Sequence, residues 1–213
     1  MSVNHVLSAL LQVIATKPDI TVAATLDNGV GANVTLSNGD LTYTSTSAST
    51  ACSARSTTSR SSSKVYFEVT VVEVGDCFIG FGTSAFSDAS SPGVPGWYSN
   101  SYGWRQSGEL FYNTSSDGVP SAGWQTGDVL AFAIDLTGQK LYLNDLTGSD
   151  GWNGGSGNPS TGTGGYSISG VSGALNAIIA NYNENTGKFT FNFGGSSFTG
   201  SIPSSFVSWN AGS

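Results

Sequence analysis

Short runs of alternating apolar and polar residues, separated by turn residues, recur about every ten positions from Ile20 onward. In the clearest run every second residue is apolar, at Val65, Phe67, Val69 and Val71. Such residues share one face of a strand. An Asn-Gly pair within residues 37–40 joins the runs 33–36 and 41–44, which predicts a hairpin. Strands at this spacing predict an antiparallel β-sandwich.

Further runs predict the remaining strands. Residues 129–136 form a continuous apolar run, typical of a central strand covered on both faces. Glycines within 78–82 predict a strand packed closely against a neighbour. The other predicted strands are 110–113, 141–144, 175–180 and the alternating Phe189, Phe191 and Phe193. The fold class is therefore all-β, with one sandwich domain over residues 20–213.

Two segments interrupt this pattern of short strands. Residues 45–63 are rich in Ser and Thr, and residues 146–166 are dense in Gly. We predict long loops in both. Loops of this length are often functional, although a solvated insertion without a role is equally compatible with the sequence.

The first 19 residues have a different periodicity. A stripe with helical spacing predicts a short amphipathic helix that ends before Pro18, with apolar residues at Val3, Val6, Leu7, Leu10, Leu11 and Ile14. The segment lacks the basic start of a secretion signal and is too short to cross a bilayer. We predict that it serves attachment or oligomerisation, giving a homo-oligomer.

The charge balance argues against two classes of partner. Fourteen acids oppose seven bases, for a formal net charge of -7, and the bases are scattered along the chain. Nucleic-acid binding and adhesion to anionic membranes both require concentrated positive charge. We expect neither nucleic acid nor membrane insertion.

Catalytic and metal-binding patterns are weak. The single histidine, His5, lies outside the predicted sandwich, and no spacing of the carboxylates nominates a catalytic pair. Asp145, Asp150 and Gly151 could contact calcium but lack the EF-hand spacing. We expect no enzyme activity, no cofactor and no metal. Cys52 and Cys77 could pair, but two buried thiols are the favoured interpretation.

Aromatic residues near predicted loops are the better candidates for a binding site. Trp97, Tyr98, Trp152 and Asn153 lie in Gly/Ser-rich or Asn-rich surroundings, which favours exposure and contact with a protein or a sugar. Trp104, Trp124 and Trp209 are predicted to fill the core instead.

An ordered set of motifs resembles the SPRY (B30.2-like) domain family. It comprises the lysine–aromatic–glutamate strand 64–69, Ile-Gly at 79–80, Tyr-Gly-Trp at 102–104, the hairpin 108–113, Gly-Asp-Val at 127–129 with Ile-Asp-Leu at 134–136, the strand 141–144, and Asn-Phe-Gly at 192–194 with Phe198. Asp145 stands where the family has the glycine of an Asn-Gly turn. The resemblance covers about residues 30–210. It implies a bent antiparallel sandwich without an active site, whose loops select the partner.

Other segments resemble SPRY-like modules of tailed-phage virion and tail-fibre proteins. These segments are 34–39, 150–154, 158–161 and the end of the chain from Phe206 to Asn210. The leading hypothesis is therefore a non-enzymatic virion protein, made in the host cytoplasm, that binds other virion proteins or a host surface protein or glycan. The alternatives are a carbohydrate-binding lectin domain, a depolymerase or glycosidase, and a cellular SPRY adaptor.

Two structural roles follow from the same motifs. Asp128 comes directly after Gly127, where an aspartate stabilises a turn. Glu68 needs a partner if it is buried, and Arg55 is the candidate.

Overall fold

The computed structural model describes residues 23–27, 33–46, 52–86, 93–182 and 186–212. They form two sheets and a short 3-10 helix, η1 (Trp209–Ala211). The strands are β1 (Leu26–Asp27), β2 (Val34–Ser37), β3 (Thr42–Ser45), β4 (Cys52–Ser56), β5 (Lys64–Glu73), β6 (Cys77–Thr83), β7 (Ser101–Arg105), β8 (Leu110–Tyr112), β9 (Ser115–Gly118), β10 (Val129–Asp135), β11 (Lys140–Asp145), β12 (Tyr166–Ser167), β13 (Leu175–Asn181), β14 (Lys188–Asn192) and β15 (Val207–Ser208).

The strands divide into two sheets, here called A and B. Sheet A has the order β1-β4-β13-β6-β7-β8-β9, and sheet B has the order β12-β11-β10-β5-β14-β3-β2. All pairings are antiparallel except that of β15, which runs parallel to the start of β5. This arrangement confirms the predicted all-β sandwich.

The alternating residues of β5 face the core, as the sequence predicts. The ring of Phe67 stacks on Phe132 of β10 at 4.7 Å between centroids and meets Trp209 edge-on at 5.5 Å. Trp104, Trp124 and Trp209 are fully buried, which confirms their predicted core role. Strand β10 is buried along most of its length between β5 and β11, as expected for a central strand.

The prediction of a loop over residues 45–63 is wrong for residues 52–56. Strand β4 lies within it and pairs with β13 and β1 in sheet A. Its Ser and Ala side chains are small, so the segment is buried without the apolar alternation that reveals a strand. The hydroxyl of Ser56 donates to the Thr58 carbonyl and accepts the Ala177 amide, which satisfies it inside the protein.

The outer face of sheet B is covered by residues 146–165 and by the segment that follows β14. Both covers lie over the small residues Ala131 and Ala133, and the Ser204 amide donates to the Ser160 hydroxyl between them. Asp128 accepts the Gln125 amide at 2.6 Å, which confirms its predicted turn role.

Glu68 ties the second cover to the sheet. Its carboxylate is almost fully buried and accepts the amides of Thr199 and Gly200, each at 2.8 Å, and the hydroxyl of Tyr66 at 2.6 Å. The predicted pairing with Arg55 is wrong, because Arg55 lies on β4 in the other sheet and donates to the Phe86 carbonyl. Backbone amides thus satisfy the buried acid in place of a cation.

The two cysteines are buried thiols without a disulfide, as the sequence favours. Cys52 on β4 and Cys77 on β6 both stand opposite Asn181 of β13, which separates them. Two strand spacings amount to roughly 9–10 Å, beyond the Cα separation that a disulfide spans. The Cys77 thiol donates to the Asn181 side chain at 3.3 Å, and burial raises its pKa well above the usual value.

The amphipathic stripe of residues 3–14 and His5 lie outside the described residues, so the predicted N-terminal role stays a prediction. Across the described ranges, no helix has the length and apolar character needed to span a bilayer.

Candidate binding surface on the outer face of sheet A

Residues 93–100, here called the strap, cross the outer face of sheet A. The strap lies against backbone because glycines stand beneath it: a Cβ on Gly103 would overlap the Pro95 carbonyl oxygen. Gly80 in turn faces the backbone of β7 at Tyr102, where a side chain would also overlap. The prediction of close packing around the glycines of 78–82 is confirmed. These glycines place the strap, and Trp97 within it, directly on the sheet.

An aromatic patch surrounds the strap, consisting of Phe78, Trp97, Arg105, Phe111 and Tyr182. Tyr182 is its centre: its ring lies 5.3 Å from Trp97, 5.6 Å from Phe78, and 5.0 Å from the Arg105 guanidinium. Phe78 is fully buried, whereas the other four members are half-buried and present part of their surface. The patch therefore combines a rigid floor with a partly open aromatic and cationic rim.

Asp76 fixes the orientation of Arg105. The guanidinium donates to both carboxylate oxygens, at 3.0 Å and 2.9 Å, in a bidentate pair. This bonding to Asp76 raises the pKa of Arg105, which stays fully charged. Planar Arg–carboxylate pairs hold the guanidinium in one plane, which here lies against the rings of Phe78 and Tyr182. A cavity of about 290 Å³ adjoins the pair, lined by Val74, Gly75, Asp76, Arg105, Gln106 and Ser107.

Two polar groups of the strap have no hydrogen-bond partner among the described residues. The indole N–H of Trp97 and the side-chain oxygen of Asn100 are both buried and unpaired. Leaving a buried donor or acceptor unsatisfied costs about 1–3 kcal/mol per group. Such groups are uncommon in native structures, and the strap contains one unpaired donor and one unpaired acceptor.

The structure separates the four predicted binding residues into two places. Trp97 belongs to the aromatic patch, and the neighbouring Tyr98 packs edge-on against Phe86 at 6.2 Å. Trp152 lies over sheet B, where it is half-buried against Tyr66 at 6.4 Å between centroids. Both tryptophans are thus less exposed than the sequence suggested.

Asn153 has a structural role in this molecule. Its side-chain oxygen accepts the Leu143 amide at 2.8 Å, and its side-chain nitrogen donates to the carbonyls of Leu141 and Gly164. The side-chain amide thereby bonds the backbone at the edge of β11 as a neighbouring strand would. The residue is only 4% exposed. We leave it out of the candidate surface.

The sequence did not identify Arg105, Phe111 and Tyr182 as members of the site. A partial signal exists, because Arg105 and Gly103 alternate with the core residues Tyr102 and Trp104 and so face outward. Nothing in the sequence shows that Tyr182, at the end of β13, meets Arg105 across the sheet.

Several carboxylates within the described ranges form bonds that maintain the fold. Asp135 pairs with Lys64 at 3.0 Å and accepts the Gly138 amide, while Asp145 and Asp128 both contact the Thr147 hydroxyl. Across the same ranges, no three potential ligand side chains lie close enough together to hold a metal ion.

A two-sheet antiparallel sandwich that presents an aromatic and arginine surface on one sheet has the form of a recognition scaffold. Residues 64–164 match the family model of the SPRY domain. The two-sheet fold agrees with this match, so residues 64–164 correspond to a SPRY domain, as their motifs indicated. A comparison of the sequence with curated proteins finds no match.

Solved structures share the fold at low sequence identity. The SPRY domain of human HERC1 superposes with a TM-score of 0.61 at 13% identity, covering 78% of this chain and 96% of that chain. The PSpry domain of TRIM65 gives 0.58 at 14% identity, over 80% and 90% of the two chains. Stonustoxin gives 0.56 at 16% identity, over 80% of this chain and 27% of its own.

Proposed function

We propose that this SPRY domain binds a partner protein through the aromatic patch and catalyses no reaction. The observation that carries the proposal is the strap, which holds half-buried Trp97 beside Tyr182 and Arg105. SPRY domains generally mediate protein–protein interaction. Aromatic residues and arginine are enriched at the energetic centres of protein interfaces.

The unpaired groups of the strap indicate what the partner supplies. Trp97 offers a donor and Asn100 an acceptor, three residues apart. Both atoms are buried, so the peptide groups of an extended partner segment reach them only after Trp97 and Asn100 turn outward. An apolar side chain of that segment then packs on Tyr182 and Phe111. Binding removes the cost of the two unsatisfied groups, which adds to the affinity.

A binding role agrees with the bonds that three of the acidic residues form. Asp76 orients Arg105, Glu68 holds backbone amides, and Asp135 pairs with Lys64. Each of these three acids is engaged in maintaining the fold or the surface. This pattern favours recognition over acid–base chemistry as the use of the domain.

We further propose that the protein is a component of a phage virion, made in the host cytoplasm and displayed as a homo-oligomer through residues 2–17. The support is the resemblance of segments 34–39, 150–154, 158–161 and 206–210 to modules of phage virion proteins. The test compares the oligomeric mass of the full chain with that of a chain beginning at Thr21. We expect the full chain to be an oligomer and the shortened chain to be a monomer. If both chains are monomers, the assembly role is contradicted.

Carbohydrate binding is the second candidate, supported by half-exposed Trp152 on sheet B. Glycan-array binding that disappears in Trp152→Ala and survives in Trp97→Ala would favour it. A cellular adaptor would bind its partner through the same aromatic patch. Recovery of the protein from purified phage particles distinguishes a virion component from a cellular adaptor.

The patch itself is tested with a random-peptide display library selected against the full chain. Selected peptides are titrated calorimetrically against Trp97→Ala, Tyr182→Ala and the control Trp152→Ala. We expect at least tenfold weaker binding for the two patch variants, because truncating an interface aromatic costs 2 kcal/mol or more, and no change for the control. Equal affinity for all four proteins would refute the proposal.

A further inference from the structure

A cavity of about 260 Å³ lies beside the start of β1. Three segments surround it: residues 23–25 before β1, the turn between β2 and β3, and the turn that follows β14. Its lining residues include Asn38, Asn192 and Asn210, and we call it the asparagine cavity. It shares no residue with the aromatic patch and does not include Trp152. The binding roles proposed for the patch and for Trp152 therefore do not use it.

Hydrogen bonds of Asn192 hold one wall of the cavity. Its side-chain nitrogen donates to the carbonyls of Ser196 and Ser197, at 3.3 Å and 3.0 Å. Its side-chain oxygen accepts the Gly194 amide at 3.0 Å. The side chain thereby fixes the turn after β14. Because this wall is ordered within the protein itself, a ligand loses less affinity to ordering of the site.

Hydrogen bonds of Asn210 hold a second wall. Its side-chain oxygen accepts the Ala24 amide at 2.7 Å, which joins η1 to the segment before β1. Its backbone amide donates to the Phe193 carbonyl at 2.9 Å, which joins η1 to the turn after β14. The side-chain nitrogen of Asn210 forms no hydrogen bond with a described residue. That nitrogen is therefore a donor for a ligand in the cavity.

The residues around the cavity are all uncharged, and they combine apolar and polar side chains. Phe193 and Ala24 are buried, and Leu41 is half-buried against the core. Asn38, exposed in the turn between β2 and β3, adds an amide that can both donate and accept. A charged ligand group would lose water here without gaining a partner of opposite charge, which is costly. The lining therefore favours a neutral ligand with an apolar face and polar groups at its edge.

We propose that the asparagine cavity binds one neutral sugar residue of a glycan. A hexose ring has an apolar face of C–H groups, which packs on Leu41, and polar substituents at its edge. Its hydroxyl or acetamido groups bond to Asn38 and to the side-chain nitrogen of Asn210. Pockets for drug-sized ligands span roughly 300–1,000 Å³, so a cavity of about 260 Å³ suits a single ring. A purely apolar ligand would cover the amides without pairing them, which costs free energy.

The test titrates the ¹⁵N-labelled full chain with N-acetylglucosamine and with glucosamine at about pH 6, where an amine is protonated. The two probes share one ring, but the first is neutral and the second is a cation. The side-chain amide signals of Asn38 and Asn210 report on the cavity, and the indole signal of Trp152 reports on sheet B. We expect saturable shifts of both asparagines with N-acetylglucosamine and no shift of Trp152. Glucosamine should bind about tenfold more weakly, because the lining offers its ammonium group no carboxylate.

A glycine substitution tests the contact with Asn38. Asn38→Gly removes the amide and keeps the turn, because glycine readily adopts the φ of 55° found there. Asn113→Gly is the matched control, since Asn113 is exposed in the turn between β8 and β9 with a φ of 48°. We expect Asn38→Gly to bind N-acetylglucosamine about threefold to tenfold more weakly, from one lost hydrogen bond, and the control to bind it unchanged. Thermal melts confirm that both variants fold.

Three results would overturn the proposal. The first is an absence of saturable asparagine shifts up to the solubility of N-acetylglucosamine, including the case in which only Trp152 responds. The second is equal binding of the two probes, which would show that charge is not selected against. The third is undiminished binding by Asn38→Gly. None of these results changes the expected peptide binding by the aromatic patch, so either proposal can fail alone.

Discussion

Glu68 is the residue on which the covering of sheet B most depends. Its two oxygens accept bonds from Thr199, Gly200 and Tyr66, all within 2.8 Å. Charge-assisted bonds to backbone amides are the stronger class of hydrogen bond, and this carboxylate has several. The acid attaches the C-terminal cover, and burial followed by the hydrogen bond to Glu68 raises the pKa of Tyr66.

We predict that Glu68→Gln lowers the free energy of unfolding by about 2–3 kcal/mol, because an amide nitrogen cannot accept the amides that a carboxylate oxygen accepts. Urea denaturation followed by tryptophan fluorescence measures the loss. Glu73→Gln, at the exposed end of the same strand, is the matched control and should change little. Equal midpoints for the two variants would show that the buried bonds contribute nothing.

Asp117 has the opposite effect on stability. Its pKa is raised in the folded protein above the usual 3.8, so the ionised form is disfavoured by folding. The stability cost is absent below pH 3.8, develops as pH rises toward the native pKa, and is constant above it. Because Asp117 is exposed and screened by solvent, Asp117→Asn should melt at only a slightly higher temperature than the natural chain at pH 7, with the difference vanishing near pH 3. A lower melting temperature at pH 7 would contradict this account.

The strap is the element on which the candidate surface rests. It lies on sheet A because Gly103 leaves room for the Pro95 carbonyl. Gly103→Ala should cost about 2–3 kcal/mol from overpacking against backbone and should reduce peptide binding in parallel. Gly195→Ala is the control, because a Cβ there meets nothing within 4 Å. Chemical denaturation of both variants gives the comparison, and unchanged stability of Gly103→Ala would place the strap elsewhere.

Elements with strong alternation were predictable from sequence, and those built from small residues were not. Strand β5 shows its core face as Val65, Phe67, Val69 and Val71, and the hairpin of β2 and β3 shows its turn. Strand β4 is hidden because Ser and Ala fill positions where a sequence pattern needs large apolar residues. Its burial depends on the neighbouring strands, which only the fold specifies.

The candidate site was only partly predictable for a related reason. Trp97 could be selected as a loop aromatic, but its contacts with Tyr182 and Arg105 join residues from distant parts of the chain. The polar loop around Asn153 suggested a binding residue, yet its side-chain amide is hydrogen-bonded to the edge of β11. Local sequence shows which side chains are available, whereas the pairing of β6, β7 and β13 determines which of them meet.

At the scale of the molecule, the two outer faces are covered differently. Sheet B is covered by residues 146–165 and by the C-terminal segment, fastened by Glu68 and by the Ser204–Ser160 bond. On sheet A, the strap is the covering segment among the described residues, and Trp97, Tyr182 and Arg105 are partly open. This difference supports our proposal that sheet A binds the partner, whereas the covers of sheet B close the structure.

Hydrogen exchange of the full chain, with and without a library-selected peptide, tests this assignment most directly. Amides of a bound surface exchange more slowly because complex formation suppresses local opening. We predict peptide-induced protection in residues 93–105 and 175–182, and no change in 146–165 or 196–206. Protection confined to the two covers of sheet B, with the strap and β13 unchanged, would contradict the account.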